Sequence, residues 1–293
     1  MDQQDLADRF ERDRRRLRSV AYRIVGSLSE ADDAVQEAWL RLQRVDVDQI
    51  DNLEAWLTTV IARICLNRLR HRRSHSEEPL ELFMPEPIIS MGGADGSGAA
   101  GRGGDPEQEV LLADAVGIAL QVVLEALSPA ERVAFVLHDM FSVPFEEIAE
   151  LLERSPEAAR QLASRARRRV RVTAPVSEPD LDRQRAVVDA YFAAARRGDL
   201  DALVAVLDPD IVARSHGRSG VLELRGAEKV ARAAMTARRF APFVRPALVN
   251  GTAGAVAFDG DLPFAILAFT VVGDRAATID IFNDRELVPR LVR

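Results

Sequence analysis

Residues 145–171 read FEEIAELLERSPEAARQLASRARRRVR and have the pattern of a helix-turn-helix. Apolar residues recur at helical spacing through Leu152, and Glu153-Arg154 interrupts them. Ser155 is a predicted N-cap, and Pro156 suits the first helical position because its missing N–H needs no partner there. The stretch therefore predicts two short helices joined by a tight turn.

The second of these helices has a polar outer face. Arg160, Gln161, Ser164 and Arg165 fall together on it, opposite the apolar side chains. Side chains of these types can read base edges in a major groove. An arginine-rich tail that includes Arg168 follows and suits contacts with phosphates. The stretch predicts DNA binding, and a solvated basic helix is the alternative.

The composition limits the number of domains, the cellular location and the kinds of site that the chain is expected to have. A chain of 293 residues is long enough for two or three domains, and its formal charge of −7 confines any nucleic-acid contact to local patches. Cys65, the single cysteine, lies among apolar residues and is predicted to be a buried thiol. The absence of a long apolar run or a signal-peptide core predicts a cytoplasmic protein without membrane contact. His71 and His75 have no second ligand pair, so neither a metal nor a cofactor is expected.

Residues 1–73 have the periodicity of three amphipathic helices. The first ends at Gly26, and Ser29-Glu30-Ala31-Asp32 resembles a capping box at the start of the second. An acidic patch lies near the start of that second helix, formed by Asp32, Asp33, Gln36 and Glu37. These residues are either surface acids that compensate the helix dipole or a docking face for a basic partner.

The third helix, predicted over Leu53 to Arg73, combines basic and aromatic residues. Arg63, Asn67 and Arg70 lie on or near one side, and Trp56 is partly a core residue. Basic groups beside an aromatic ring can hold an unpaired nucleic-acid strand, because charge follows the backbone and rings stack on bases. A plain basic helix end is the alternative interpretation.

Residues 74–106 are predicted to be a flexible linker that contains Met84-Pro85-Glu86-Pro87 and then the glycine-rich run MGGADGSGAAGRGGD. Residues 107–172 then have the pattern of four short helices, with a capping box at Ser128-Pro129-Ala130-Glu131. The stiff proline segment is either a docking point for a neighbouring domain or a spacer with incidental apolar residues.

The sequence pattern is different in residues 180–293, where helices are followed by strand-like runs. This pattern predicts an α+β unit in which a curved sheet wraps helices. Two helices come first, and a further helix is predicted over Ala227 to Phe240. The strand-like runs are Ile211 to Ala213, Val221 to Leu224, Ala247 to Val249, Gly254 to Phe258, Ile266 to Val272 and Ala276 to Phe282.

Taken together, residues 5–73 and 107–172 resemble the two conserved domains of bacterial extracytoplasmic-function RNA polymerase sigma factors. The resemblance rests on AYRIVGSLSEADDAVQEAWLRL, AWLTTVIARICLNRLRHRR and LSPAERVAFVLHDMFSVPFEEIAELLERSPEAARQLASRARRRV. Residues 180–293 are similar to a SnoaL-like domain of the NTF2 type, and the Met84 to Pro87 segment is similar to a linker motif of sigma factors with that extension. The expected fold is two all-α sigma domains, region 2 over 1–73 and region 4 over 107–172, followed by an α+β cone.

The resemblance implies a promoter-specificity subunit that has no chemistry of its own. Its expected partners are promoter DNA and core RNA polymerase, through the β′ clamp helices and the β flap. It implies that the acidic patch docks on the clamp helices, and that the loop 46–52 forms a pocket for an extruded base. It further implies two DNA contacts: Trp56, Arg63, Asn67 and Arg70 at the −10 element, and Arg160, Gln161, Ser164 and Arg165 at the −35 major groove.

Two other functions stay open at this point. A helix-turn-helix repressor would bind duplex DNA alone, and the cone by itself is compatible with a polyketide-cyclase-like enzyme or a ligand sensor. For catalysis, His216 is expected in an exposed turn and Asp259 in a hairpin loop, so that only Asp280 is expected to point inward. The C-terminal domain is therefore expected to enclose an apolar pocket and to regulate the helical domains, with any small ligand unknown.

Overall fold

The computed structural model describes residues 3–75, 85–91, 118–173, 180–218 and 220–292. These residues form two compact units. The helical unit comprises the described residues up to Glu86 together with Gln121–Thr173, and the C-terminal unit comprises the others. Met84 and the glycine-rich run of the predicted linker lie outside the described residues.

The first helical segment consists of α1 (Gln3–Val25), α2 (Leu28–Leu42) and α3 (Leu53–His75). Gly26 ends α1 with a φ of +77°, a left-handed conformation that suits glycine. The side chain of Ser27 then accepts a hydrogen bond from the Glu30 N–H and caps α2. The predicted cap at Ser29 is wrong because α1 ends so close to α2 that Ser27 is already the capping residue.

The second helical segment contains α4 (Ile118–Glu125), α5 (Pro129–Phe135), a π-helical turn (Val136–Met140), α6 (Phe145–Leu152) and α7 (Pro156–Thr173). The capping box at Ser128 and Glu131 is confirmed. The helix-turn-helix is confirmed as well: Glu153 turns the chain with a φ of 55°, and the Ala158 N–H donates to Ser155 Oγ at 3.2 Å. The sequence pattern did not predict the π-helical turn.

The two helical segments pack against each other within the helical unit. Helix α1 packs on α2 and α3, and α3 in turn contacts α5 and α6. The apolar side of α1 is buried, and α3 buries Leu57, Ile61, Ile64 and Leu69. Cys65 is buried as well, and this burial raises the pKa of its thiol to about 12. Both segments therefore contribute to one core.

The C-terminal unit has the predicted α+β architecture. Helices α8 (Leu181–Arg197), α9 (Leu200–Val206) and α10 (Ala227–Thr236) accompany a seven-stranded sheet of order β1-β4-β5-β6-β7-β2-β3, and α11 (Val288–Leu291) comes last. The strands are β1 (Ile89–Ser90), β2 (Leu207–Gly217), β3 (Gly220–Arg225), β4 (Val244–Val249), β5 (Thr252–Asp259), β6 (Leu262–Val272) and β7 (Arg275–Phe282). The predicted helix over Ala227 to Phe240 ends early, and a 3₁₀ helix occupies Arg238–Phe243.

The space between α8 and the sheet is filled by aromatic side chains. The rings of Tyr191, Phe192 and Phe269 meet edge to face with centroids 5.2–5.9 Å apart. Burial raises the pKa of Tyr191 to about 12. These three rings belong to the buried core of the C-terminal unit, and the apolar pocket expected there stays a prediction.

His216 corrects the sequence-based expectation of an exposed turn. Strand β2 continues through it, so the side chain is only 3% exposed, with Nε2 2.9 Å from Asp280 Oδ1 and the ring stacked on Phe282. The polar run around His216 looks like a turn in sequence because its partners lie far away on β7. Asp280 is fully buried, but it alternates with Ile279 and Ile281, which pack into the cone core. Its carboxylate therefore lies on the opposite face of the sheet.

Candidate nucleic-acid and protein interfaces

The four residues of α7 that are predicted to read base edges share one exposed face. Arg160, Gln161, Ser164 and Arg165 are all exposed, whereas Ala159, Ala163 and Ala166 on the opposite side are fully buried. This arrangement follows from helical periodicity, because residues three and four apart share a face. The helix starts at an N-terminus that is capped by Ser155.

Arg165 has a buried partner that the sequence did not reveal. Its Nε lies 3.1 Å from Glu131 Oε1, and Arg169 lies 3.4 Å from the other carboxylate oxygen. Desolvation raises the pKa of Glu131, but hydrogen bonds from Ser128 and Arg165 outweigh it and hold the pKa below its ordinary value. The ion pair therefore holds the Arg165 side chain against α5.

The arginine-rich tail of α7 borders an open groove of about 440 Å³ lined by Ser164, Arg167, Arg168 and Arg171. Arg167 is held by Asp139 at 2.6 Å, while Arg168 and Arg171 are exposed. Guanidinium groups around an open groove suit the phosphates of a nucleic-acid backbone.

Helix α3 carries the second predicted nucleic-acid face. Trp56 is half-buried, and Arg63, Asn67 and Arg70 are exposed. Their spacing places all four along one side of the helix. A short 3₁₀ turn, Val47–Gln49, occupies the preceding loop, and Asn52 caps α3 by accepting from the Ala55 N–H at 3.1 Å. The structure thus brings a basic stripe and an aromatic ring together.

The acidic patch on α2 is exposed at Asp32, Asp33 and Gln36, and half-buried at Glu37. Each acid has an arginine nearby within the unit. Asp32 lies 2.5 Å from Arg18, Asp33 lies 3.7 Å from Arg68, and Glu37 lies 2.6 Å from Arg41. The sequence pattern did not reveal Arg18 and Arg68 as partners of the patch, because they belong to α1 and α3.

The proline segment supplies a cap for α2. The Glu86 carboxylate accepts from Ser27 Oγ and from the Leu28 N–H, both at 3.1 Å, at the helix N-terminus. Tyr22 Oη donates to the Glu86 carbonyl at 2.6 Å. Pro85 and Pro87 on either side are buried.

The next residues of the chain belong to the C-terminal unit. There the Ile88 N–H donates to Asn250 Oδ1 at 2.7 Å, and the Asn250 N–H donates to the Ile88 carbonyl at 2.8 Å. Ile89 and Ser90 pair with Val249 and Leu248 as the edge strand β1. The sequence pattern did not predict this strand.

A buried polar junction joins the two helical segments. Arg132 is 2% exposed, lies 2.6 Å from Glu125 and donates to the Arg23 carbonyl at 3.3 Å. Gln121, fully buried, donates to the Tyr22 carbonyl at 3.4 Å. Gly26 approaches so closely that an added Cβ would collide with Glu125. Acceptors at the end of α1 are thus satisfied by the second segment.

The described residues contain neither a cluster of three or more His, Cys, Asp or Glu side chains suited to a metal ion nor a helix apolar and long enough to span a bilayer.

Comparison with known proteins gives matches over both parts of the chain. Residues 9–75 match the model of Sigma-70 region 2, and residues 118–170 match that of Sigma-70 region 4. The chain is 40% identical over 292 residues to the ECF RNA polymerase sigma factor SigJ of Mycobacterium tuberculosis, covering 94% of this chain and 90% of that protein. It is 37% identical to the probable ECF RNA polymerase sigma factor SigI of the same species, over 73% and 70% of the two chains. The crystal structure of SigJ superposes with a TM-score of 0.73 at 35% identity, covering 96% and 97%.

Proposed function

The chain belongs to the extracytoplasmic-function RNA polymerase sigma factors, and from that premise we propose how its residues bind core polymerase, read a promoter and are regulated. As a sigma factor it directs core RNA polymerase to promoters and initiates transcription. We place this activity in the cytoplasm, with the polymerase. The observation that carries the assignment of residues is the exposed polar face of α7, which follows a capped N-terminus in the helix-turn-helix.

The two nucleic-acid faces have different chemistry, which supports different roles. Helix α7 presents hydrogen-bonding side chains that suit the edges of paired bases at −35. Helix α3 presents Trp56 beside Arg63, Asn67 and Arg70, and we assign this stripe to the opened strand at −10. The loop 46–52 is the proposed pocket for an extruded base.

The acidic patch is the proposed contact with the β′ clamp helices, and the second helical segment is the proposed contact with the β flap. Asp32 and Asp33 remain 50% and 66% exposed despite their arginine neighbours, so both carboxylates can still meet a basic partner. A repressor that binds duplex DNA alone has no need for such a face beside a strand-binding helix.

We propose no catalytic role for the C-terminal unit. Its buried acid and base are bonded to each other, and Arg214 lies 3.6 Å from the same oxygen of Asp280. An acid–base catalyst needs a group that faces a substrate in a pocket. His216 and Asp280 instead lie on the sheet face opposite the aromatic core.

Replacing Arg160 with alanine should relax selectivity at one −35 position by about 1–3 kcal/mol, since a base-reading contact is lost. Arg168→Ala should weaken binding about equally on all sequences and reduce the salt dependence, because a phosphate contact carries no sequence information. The measurement is transcription in vitro by the full chain with purified core polymerase on a library of −35 variants. Equal effects of both substitutions on every promoter would remove Arg160 from the reading face.

We further propose that the C-terminal unit modulates promoter selection in cis. The support lies in the proline segment. Glu86 caps α2 in the helical unit, and Ile88, two residues later, is hydrogen-bonded within the C-terminal unit. Pro87 is the one residue between these two anchors along the chain.

Two variants test this modulation. Cutting the chain after Pro175 should change the promoter profile while binding to core polymerase survives, because the acidic patch is retained. Asn250→Gly is a milder test, since glycine tolerates the φ of 49° at this position and the side-chain bond to Ile88 is removed. The measurement is transcription from a genomic promoter library beside core-binding affinity. Promoter profiles identical to that of the intact chain in both variants would contradict modulation in cis.

A further inference from the structure

Three side chains of the second helical segment form a stack beneath the proposed reading face. The His138 ring lies parallel to the Phe145 ring, with centroids 3.8 Å apart and an interplanar angle of 26°. The guanidinium carbon of Arg160 lies over the Phe145 ring at 5.5 Å from its centroid. The stack runs from the π-helical turn, through the first residue of α6, to the first turns of α7.

The backbone builds this stack through an irregular turn. His138 belongs to the π-helical turn, and Ser142 then adopts a φ of 55°. The Val143 N–H donates to the Leu137 carbonyl at 3.0 Å, and His138 Nδ1 lies 3.1 Å from the Val143 carbonyl oxygen. Turns of the π type occur often at functional sites. Here the turn fixes the His138 ring against Phe145.

Charged neighbours hold the other side of the Arg160 guanidinium. Glu146 Oε1 lies 3.0 Å from Arg160 Nη2, and Glu157 Oε1 lies 3.7 Å from Nη1. Both acids are largely exposed, so these ion pairs alone stabilise the side chain weakly. The aromatic face adds a second, directional contact, because a guanidinium group stacks on a ring as well as pairing with an acid.

We propose that Phe145, backed by His138, is a positioning residue that orients Arg160 and so sets the base preference at the −35 position that Arg160 reads. This inference rests on the base-reading role proposed for Arg160. A bidentate contact with a guanine edge needs the planar guanidinium in one orientation. A long arginine side chain otherwise loses rotamer entropy on binding, and preorganisation lowers that loss.

The test compares Phe145→Leu, Phe145→Met and Phe145→Tyr in the full chain with core polymerase, on a library randomised over the −35 element. Leucine and methionine keep apolar bulk without a ring, and tyrosine keeps the ring. Phe145→Leu and Phe145→Met should lower the preference for the favoured base by about 2- to 5-fold. This change should occur at the single position where Arg160→Ala also reduces the base preference. Phe145→Tyr should retain the base preference. In the Arg160→Ala background, Phe145→Leu should lower that preference no further.

The outcomes separate this inference from the base-reading role. If Arg160→Ala flattens one position but neither Phe145→Leu nor Phe145→Met changes the preference there, the positioning role is wrong and the reading role stands. If both ring-less variants weaken binding equally on every sequence, Phe145 only stabilises the fold. If Arg160→Ala leaves the base preference unchanged at every position, both the positioning role of Phe145 and the base-reading role of Arg160 are wrong.

Discussion

Replacing Arg132 with methionine is expected to destabilise the helical unit by about 3–5 kcal/mol, because the Glu125 carboxylate stays buried without its partner. Glu125 is 8% exposed at its side chain and lies 2.6 Å from Arg132. The substitution also removes the hydrogen bond to the Arg23 carbonyl. The measurement is urea unfolding of the full chain followed by its helical circular dichroism signal.

Two further variants control this experiment. The double variant Glu125→Leu/Arg132→Met should recover most of the loss, since an apolar pair can replace a buried ion pair at little net cost. Arg168→Met removes an exposed arginine and should change stability by no more than about 0.5 kcal/mol. If Arg132→Met lowers the free energy of unfolding no more than Arg168→Met does, the buried junction contributes little to stability.

Reversing Asp32 and Asp33 to lysine should weaken binding to core polymerase at least tenfold. A contact between opposite charges becomes repulsive, and like charges brought together at an interface cost several kcal/mol. The measurement is the affinity of the full chain for purified core polymerase at two salt concentrations. The loss should be larger at low salt, where charges are less screened.

The arginine neighbours of this patch require a folding control. The new lysines would stand beside Arg18 and Arg68, so helical content and thermal unfolding are compared with the unaltered chain. Asp189→Lys/Asp201→Lys makes the same charge change at exposed positions of the C-terminal unit and should leave core affinity unchanged. Unaltered co-purification of Asp32→Lys/Asp33→Lys with core polymerase would refute the docking assignment.

Local sequence patterns were sufficient for much of the architecture. The caps at Ser128 and Ser155, the end of α1 at Gly26 and the polar face of α7 were all predicted. Each depends on residues within one or two helical turns, where backbone geometry fixes which side chains meet. The predicted boundaries of the linker and the domains stay predictions, because most of the linker lies outside the described residues.

Only the tertiary structure decided which distant side chains meet. It buries His216 against Asp280, 64 residues away, and satisfies the end of α1 with Arg132, 109 residues beyond Arg23. It pairs β1 with β4 and places the Phe145 ring under Arg160. These contacts depend on strand register and on how helices pack, which periodicity within one element does not specify. The sequence by itself determined that α7 presents an exposed polar face, and the packing of α6 and the π-helical turn decided how Arg160 is held on it.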